Sequence, residues 1–157
     1  LAHMFEEIIP KIEPGMSTKD IDDLAVKFIK ANGGKPAWYT VDFPGALCIS
    51  VNNEVIHGIP SKNRKIKEGD IVSLDGGIVL DGFFSDCAKT IPIGNVSKEA
   101  HDLMEITKRA LDAGGSGKGK CRMVCRNLYP RQQNCGDSPY AFIPNGKYRA
   151  YRYALLG

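Results

Sequence analysis

The 157-residue sequence has three His, a single Trp, and no His or Glu after Gly114. No apolar run approaches the roughly 18 residues that a membrane-spanning helix needs. The N-terminus, Leu1-Ala2-His3-Met4-Phe5-Glu6-Glu7, has no basic stretch leading into an apolar one, so no signal peptide is expected. Cysteine is sparse, and the odd count of five has no spacing that reads as a disulfide framework, which makes a reduced cytoplasmic setting the default expectation. Gly115 to Lys120 is glycine-rich but does not form a phosphate-binding loop, because no Gly-x4-Gly-Lys-Ser/Thr run follows a strand. There is no internal repeat. What remains, 43% hydrophobic and 25% charged residues, reads as a soluble globular chain with one domain-sized core.

The net charge of +3 conceals two unlike segments. Residues 1–113 carry 13 Lys and Arg against 17 Asp and Glu, a net of −4. Residues 114–157 carry eight Lys and Arg against one acid, Asp137, a net of +7. Five of the six Tyr also lie in this second segment, which is poor in Leu, Ile and Val. A boundary is therefore expected near Gly114, with a domain over 1–114 and a basic tail over 115–157.

The punctuation of the first segment sets out its elements. Residues 5–12 read as the end of a helix, and Pro14-Gly15 breaks it. Ser17, with Asp20 three residues on, has capping-box spacing. Ile21, Leu24, Ala25, Phe28 and Ile29 recur at helical spacing, which predicts an amphipathic helix of about 12–15 residues ended by Asn32-Gly33-Gly34. Residues 35–45 read as a loop with aromatics, and Ala46 to Val51 as a buried strand. Ile71 to Leu80 and Phe83 to Ile91 read as two strands joined by Asp81-Gly82, a strong two-residue hairpin signal. Ser97 is expected to cap a second helix with Leu103, Ile106, Ala110 and Leu111 on one face. The fold class is α/β in the α+β sense, an antiparallel sheet backed by helices.

The chemistry is expected in the hairpin. If Leu80 pairs with Phe83, the register places Gly77 opposite Asp86, and Asp75 falls on the same face as both. The two carboxylates become diagonal neighbours, with Cα atoms about 7–8 Å apart. Two such groups facing a core repel one another and lose hydration, and a shared cation would neutralise both. Hard oxygen donors supplemented by a His suit Mn, Fe, Co or Zn. Geometry alone leaves open a wet face in which one Asp is a solvated strand-end residue. A bulge at Gly76-Gly77 would also shift the register.

Several linked motifs across Pro10–Gly114 resemble the N-terminal half of bacterial type I methionine aminopeptidases. They are Pro14-Gly15-Met16-Ser17-Thr18, Cys48 through Pro60, Gly69 through Asp75, and Asp81 through Asp86. His57 precedes Asp75 by 18 residues, and Asp75 precedes Asp86 by 11, as in that family. The resemblance implies half of a "pita-bread" fold, in which two pseudo-symmetric halves enclose a site with two divalent ions. It implies that Asp75 binds one metal through both oxygens and that Asp86 bridges the pair. His57 would lie beside the scissile peptide and bond the substrate, and Phe43 and Cys48 would line the methionine side-chain pocket. Thr40 departs from the pattern, since that position is commonly aromatic in the family. The implied reaction is removal of the initiator methionine from nascent proteins by a metal-activated water. The partner is then the N-terminal Met of a nascent peptide, with the ribosome a further candidate, and neither a membrane nor DNA is expected.

The family's other three ligands, one His and two Glu, have no counterpart after Gly114, so this chain alone is expected to be inactive. The tail over 115–157 does not match the family and reads as an out-of-frame or disordered stretch. Its mixture of Arg122, Arg126, Tyr129, Arg131, Tyr148, Arg149, Tyr151, Arg152 and Tyr153 could also suit single-stranded RNA, although no RNA-binding signature is present. Cys121, Cys125 and Cys135 lack a fourth zinc ligand at a usual spacing. Two other functions remain in view: a non-catalytic peptide- or protein-binding relative of the same fold, and a proline-specific peptidase.

Overall fold

The computed structural model describes residues 1–115, and side chains through residue 112. The expectations for the tail, and for Cys121, Cys125 and Cys135 within it, lie outside these residues. Leu1–His101 form one compact unit.

Helix α1 (Ala2–Ile8) buries Met4, Phe5 and Ile8, and passes into a 3-10 turn over Ile9–Lys11. The helix thus starts earlier and stops sooner than the sequence suggests. Pro10, which has no N–H to donate, falls in the first turn of the tighter coil. Helix α2 (Thr18–Ala31) begins with the expected capping box: Asp20 N–H donates to Ser17 Oγ at 3.1 Å, and Ser17 N–H donates to Asp20 Oδ2 at 2.8 Å. Its buried stripe is Thr18, Ile21, Asp22, Ala25 and Ile29, with Leu24 and Phe28 half-buried alongside.

The loop expected over 35–45 contains a short strand, β1 (Lys35–Pro36), and a 3-10 turn over Ala37–Val41. Strand β2 (Leu47–Val51) is buried along its whole length. Strands β3 (Ile71–Leu80) and β4 (Phe83–Pro92) form the hairpin. Asp81 and Gly82 both have positive φ, 51° and 80°, as a type I′ turn requires. β3 is central to the sheet. β4 pairs along one of its edges, while β2 and β1 share the other, all antiparallel. Helix α3 (Lys98–Gly115) starts at Ser97, whose Oγ accepts the Ala100 N–H at 3.2 Å. Leu103, Ile106 and Leu111 on this helix are exposed.

The core lies on one side of the sheet. Val72, Leu74 and Ile78 of β3 and Leu47, Ile49 and Val51 of β2 pack with Met4, Phe5, Ile8, Ile21, Ala25 and Ile29 of the helices. Alternation along a strand then sends Cys48, Ser50, Ser73, Asp75 and Gly77 to the other face.

Candidate metal-binding site

The hairpin register matches the sequence expectation throughout. Leu80 pairs with Phe83, Gly77 with Asp86, and Asp75 with Ala88, with no bulge at Gly76-Gly77. Asp75 and Asp86 therefore share one face as diagonal neighbours. In one respect the expectation is corrected: this face is turned away from the helix-backed core, because Val72, Leu74, Gly76 and Ile78 take the core side by alternation.

The environment opposes charge at both positions. Burial pushes the Asp75 carboxyl above its ordinary value, the charge on Asp86 pushes it further, and His57 pulls it back. Asp86 keeps a solvent-exposed surface, yet the surrounding protein also raises its carboxyl, with the Cys87 N–H opposing the shift. A divalent cation between them would remove the repulsion and replace the lost hydration. These two oxygen donors fit a hard cation as part of its shell. Among the described residues no group of three His, Cys, Asp or Glu is placed to hold one.

Cys48 stands directly across from Asp75 in β2 and shares its face. It is 6% exposed, and its thiol is pushed up to about 11 by burial first and then by the charges of Asp75 and Asp86. At neutral pH it is thus a neutral, apolar wall. Phe43 is half-buried, and its amide donates to the Trp38 carbonyl at 3.3 Å.

His57 reaches the site on a strap that follows β2. The strap is fixed at Gly58, whose carbonyl accepts the Ile49 N–H at 2.8 Å and whose N–H donates to Ser50 Oγ at 3.1 Å. A Cβ at Gly58 would lie 2.1 Å from the Ile49 carbonyl oxygen, so only glycine permits this approach. His57 itself is exposed and left-handed, with φ 58°. His is among the few residues that adopt this conformation with any frequency. Glu54 anchors the start of the strap by accepting the Val51 N–H at 2.8 Å and pairing with Arg64 at 3.1 Å.

Two features escaped the sequence reading. Ala37 and Trp38 close over Gly77: a Cβ there would meet the Ala37 Cβ at 2.8 Å and the Trp38 ring at 3.7 Å. The fully buried Asp22 accepts the Ala46 and Leu47 amides at 2.7 and 3.0 Å and pairs with Lys19 at 2.8 Å, tying α2 to the start of β2. No spacing rule links Asp22 to residues 24 and 25 positions away. An open depression of about 590 Å³ lies among the helix residues His3, Glu6, Glu7, Phe28 and Asn32 and includes neither carboxylate.

The profile of metallopeptidase family M24 matches residues 1–131. The chain is 47% identical over 132 residues to a methionine aminopeptidase of Treponema pallidum, covering 82% of this chain and 51% of that protein. The crystal structure of a Thermotoga maritima methionine aminopeptidase superposes with a TM-score of 0.69 at 35% identity, covering 71% of this chain and 45% of the other. That of the Rickettsia prowazekii enzyme gives 0.67 at 32% identity, with 69% and 44% covered. The chain spans about half the length of these relatives, and its sheet and helices correspond to half of their pita-bread fold. With its paired carboxylates on the face opposite the core, the chain belongs to the M24 metallopeptidases.

Proposed function

We propose that this chain contributes one wall of a metallo-aminopeptidase site that removes the initiator methionine from nascent proteins. The placement of Asp75 and Asp86 on one face carries this reading, and burial raises both carboxyls from their ordinary value in keeping with it. A bound divalent metal would supply charge that polarises a carbonyl and acidifies water. Asp75 would hold one such ion and Asp86 would be shared between two, with Co, Mn, Fe or Zn fitting once a His completes the oxygen set. His57, on its strap beside Asp75, would hydrogen-bond the substrate peptide. Cys48 and Phe43 would form the apolar slot for the methionine side chain, where a neutral thiol suits a thioether. Work on nascent chains would place the protein in the cytoplasm and near the ribosome, and the +7 tail suits an RNA-rich surface.

The test compares the purified chain with Asp86→Ala, by equilibrium dialysis with Mn or Co and by cleavage of a Met-Ala-Ser peptide. The parent is expected to retain metal that the variant loses. Neither protein is expected to turn over peptide, because the described residues supply only two ligands. Equal metal retention by the two proteins would sink the assignment.

A further inference from the structure

The sequence's one tryptophan sits at the carboxylate site. The Trp38 indole N–H donates to the main-chain carbonyl of Asp75 at 3.3 Å. The edge of its ring lies 3.7 Å from where a Gly77 Cβ would stand, and Gly77 is paired with Asp86. Trp38 is thus tied to the strand position of one carboxylate and packs over the residue opposite the other. Cys48 is across from Asp75 on β2, so Asp75 is flanked by a buried thiol and an indole. The turn holding Trp38 is fastened at several points. Pro36 pairs with Ile78, Thr40 Oγ donates to the Ala37 carbonyl at 2.7 Å, and the Phe43 amide donates to the Trp38 carbonyl at 3.3 Å. Trp38 is half-buried, which leaves part of the ring available for contact.

We infer that Trp38 is a specificity-determining residue of this site: its indole forms the wall facing Cys48, and an unbranched apolar side chain, a thioether above all, packs between them over Asp75. The inference rests on the aminopeptidase reading and adds to its side-chain slot a wall that the slot's other residues do not supply. Sulfur at the edge of an aromatic ring is a favourable contact, and the hydrogen bond to the strand of Asp75 favours the one ring position that narrows the slot against a bulkier group.

The single tryptophan makes the test direct. The full chain is loaded with Co²⁺ by dialysis and the retained metal is counted. Tryptophan emission is then followed as L-methionine or glycine is added, and L-methionine affinity is measured by calorimetry for the parent, Trp38→Ala and Trp38→Phe. The expected result is retained cobalt and an emission change with L-methionine but not with glycine. Affinity should be weakened roughly two- to tenfold in Trp38→Ala and largely restored in Trp38→Phe. Retained cobalt with emission indifferent to L-methionine, or equal affinity in the parent and Trp38→Ala, would overturn the wall role and leave the metal reading standing. A parent that retains no cobalt overturns the metal reading, and the wall role falls with it.

Discussion

Asp22, fully buried on α2, accepts the main-chain amide of Leu47 at 3.0 Å at the first residue of β2. The same oxygen takes the Ala46 amide at 2.7 Å, and the other is paired with Lys19. Helix and strand are thereby locked one residue before Cys48, so the side chain facing Asp75 is set partly by a carboxylate on the opposite side of the sheet.

Removing that carboxylate leaves two buried amides without acceptors. Asp22→Ala is expected to cost roughly 3 kcal/mol, since each orphaned buried donor costs about 1–3 kcal/mol. Asp22→Asn keeps an acceptor oxygen for the two amides but turns its NH2 toward the Lys19 ammonium in place of the second oxygen, so it should cost less than Asp22→Ala without being neutral. Urea unfolding of the three proteins at neutral pH checks the order, and an Asp22→Ala midpoint equal to that of the parent would show that the clamp is dispensable.

The paired carboxylates give a pH signature. Both are raised in the folded chain relative to 3.8, so between that value and their folded values the native state binds more protons than the unfolded state. Stability therefore falls as pH rises through this window, and the penalty persists at neutral pH. Asp86→Asn removes the repulsion on Asp75 and should stabilise the chain at pH 7 by about 1 kcal/mol or less, given how open Asp86 is to solvent. It should also flatten the pH dependence. Saturating Mn²⁺ should reverse the order, stabilising the parent by about 2.7 kcal/mol at a hundred times Kd and leaving Asp86→Asn behind. Denaturation curves from pH 3 to 8, with and without metal, test both statements. A variant less stable than the parent without metal would contradict the repulsion argument.

The strap of His57 depends on Gly58. Gly58→Ala places a methyl 2.1 Å from the Ile49 carbonyl oxygen, a backbone atom that cannot yield without breaking strand β2. The strap must lift instead, losing the Ile49 N–H to Gly58 bond of 2.8 Å. A cost of about 1–3 kcal/mol is expected from overpacking of this kind. The His57 ring resonances should shift, because the imidazole no longer feels Asp75. Unchanged ring shifts together with unchanged stability would show that the strap is not fixed at Gly58.

The elements of this chain were legible wherever local chemistry decides. Ser17 and Asp20 mark the start of α2, Asp81-Gly82 dictates the hairpin, and a two-residue turn fixes the register that brings Asp75 and Asp86 to one face. These follow from interactions between residues close in sequence or from the two-residue period of a strand, so the sequence is sufficient for them. It could not say which face of the sheet the helices would cover, and the carboxylates, expected toward a core, lie on the other side. Nor could it place Trp38 over Gly77, Gly58 against Ile49, or Asp22 beneath Leu47. Those contacts join segments far apart in the chain, and only tertiary packing, where burial and exclusion act on the whole unit at once, brings them together.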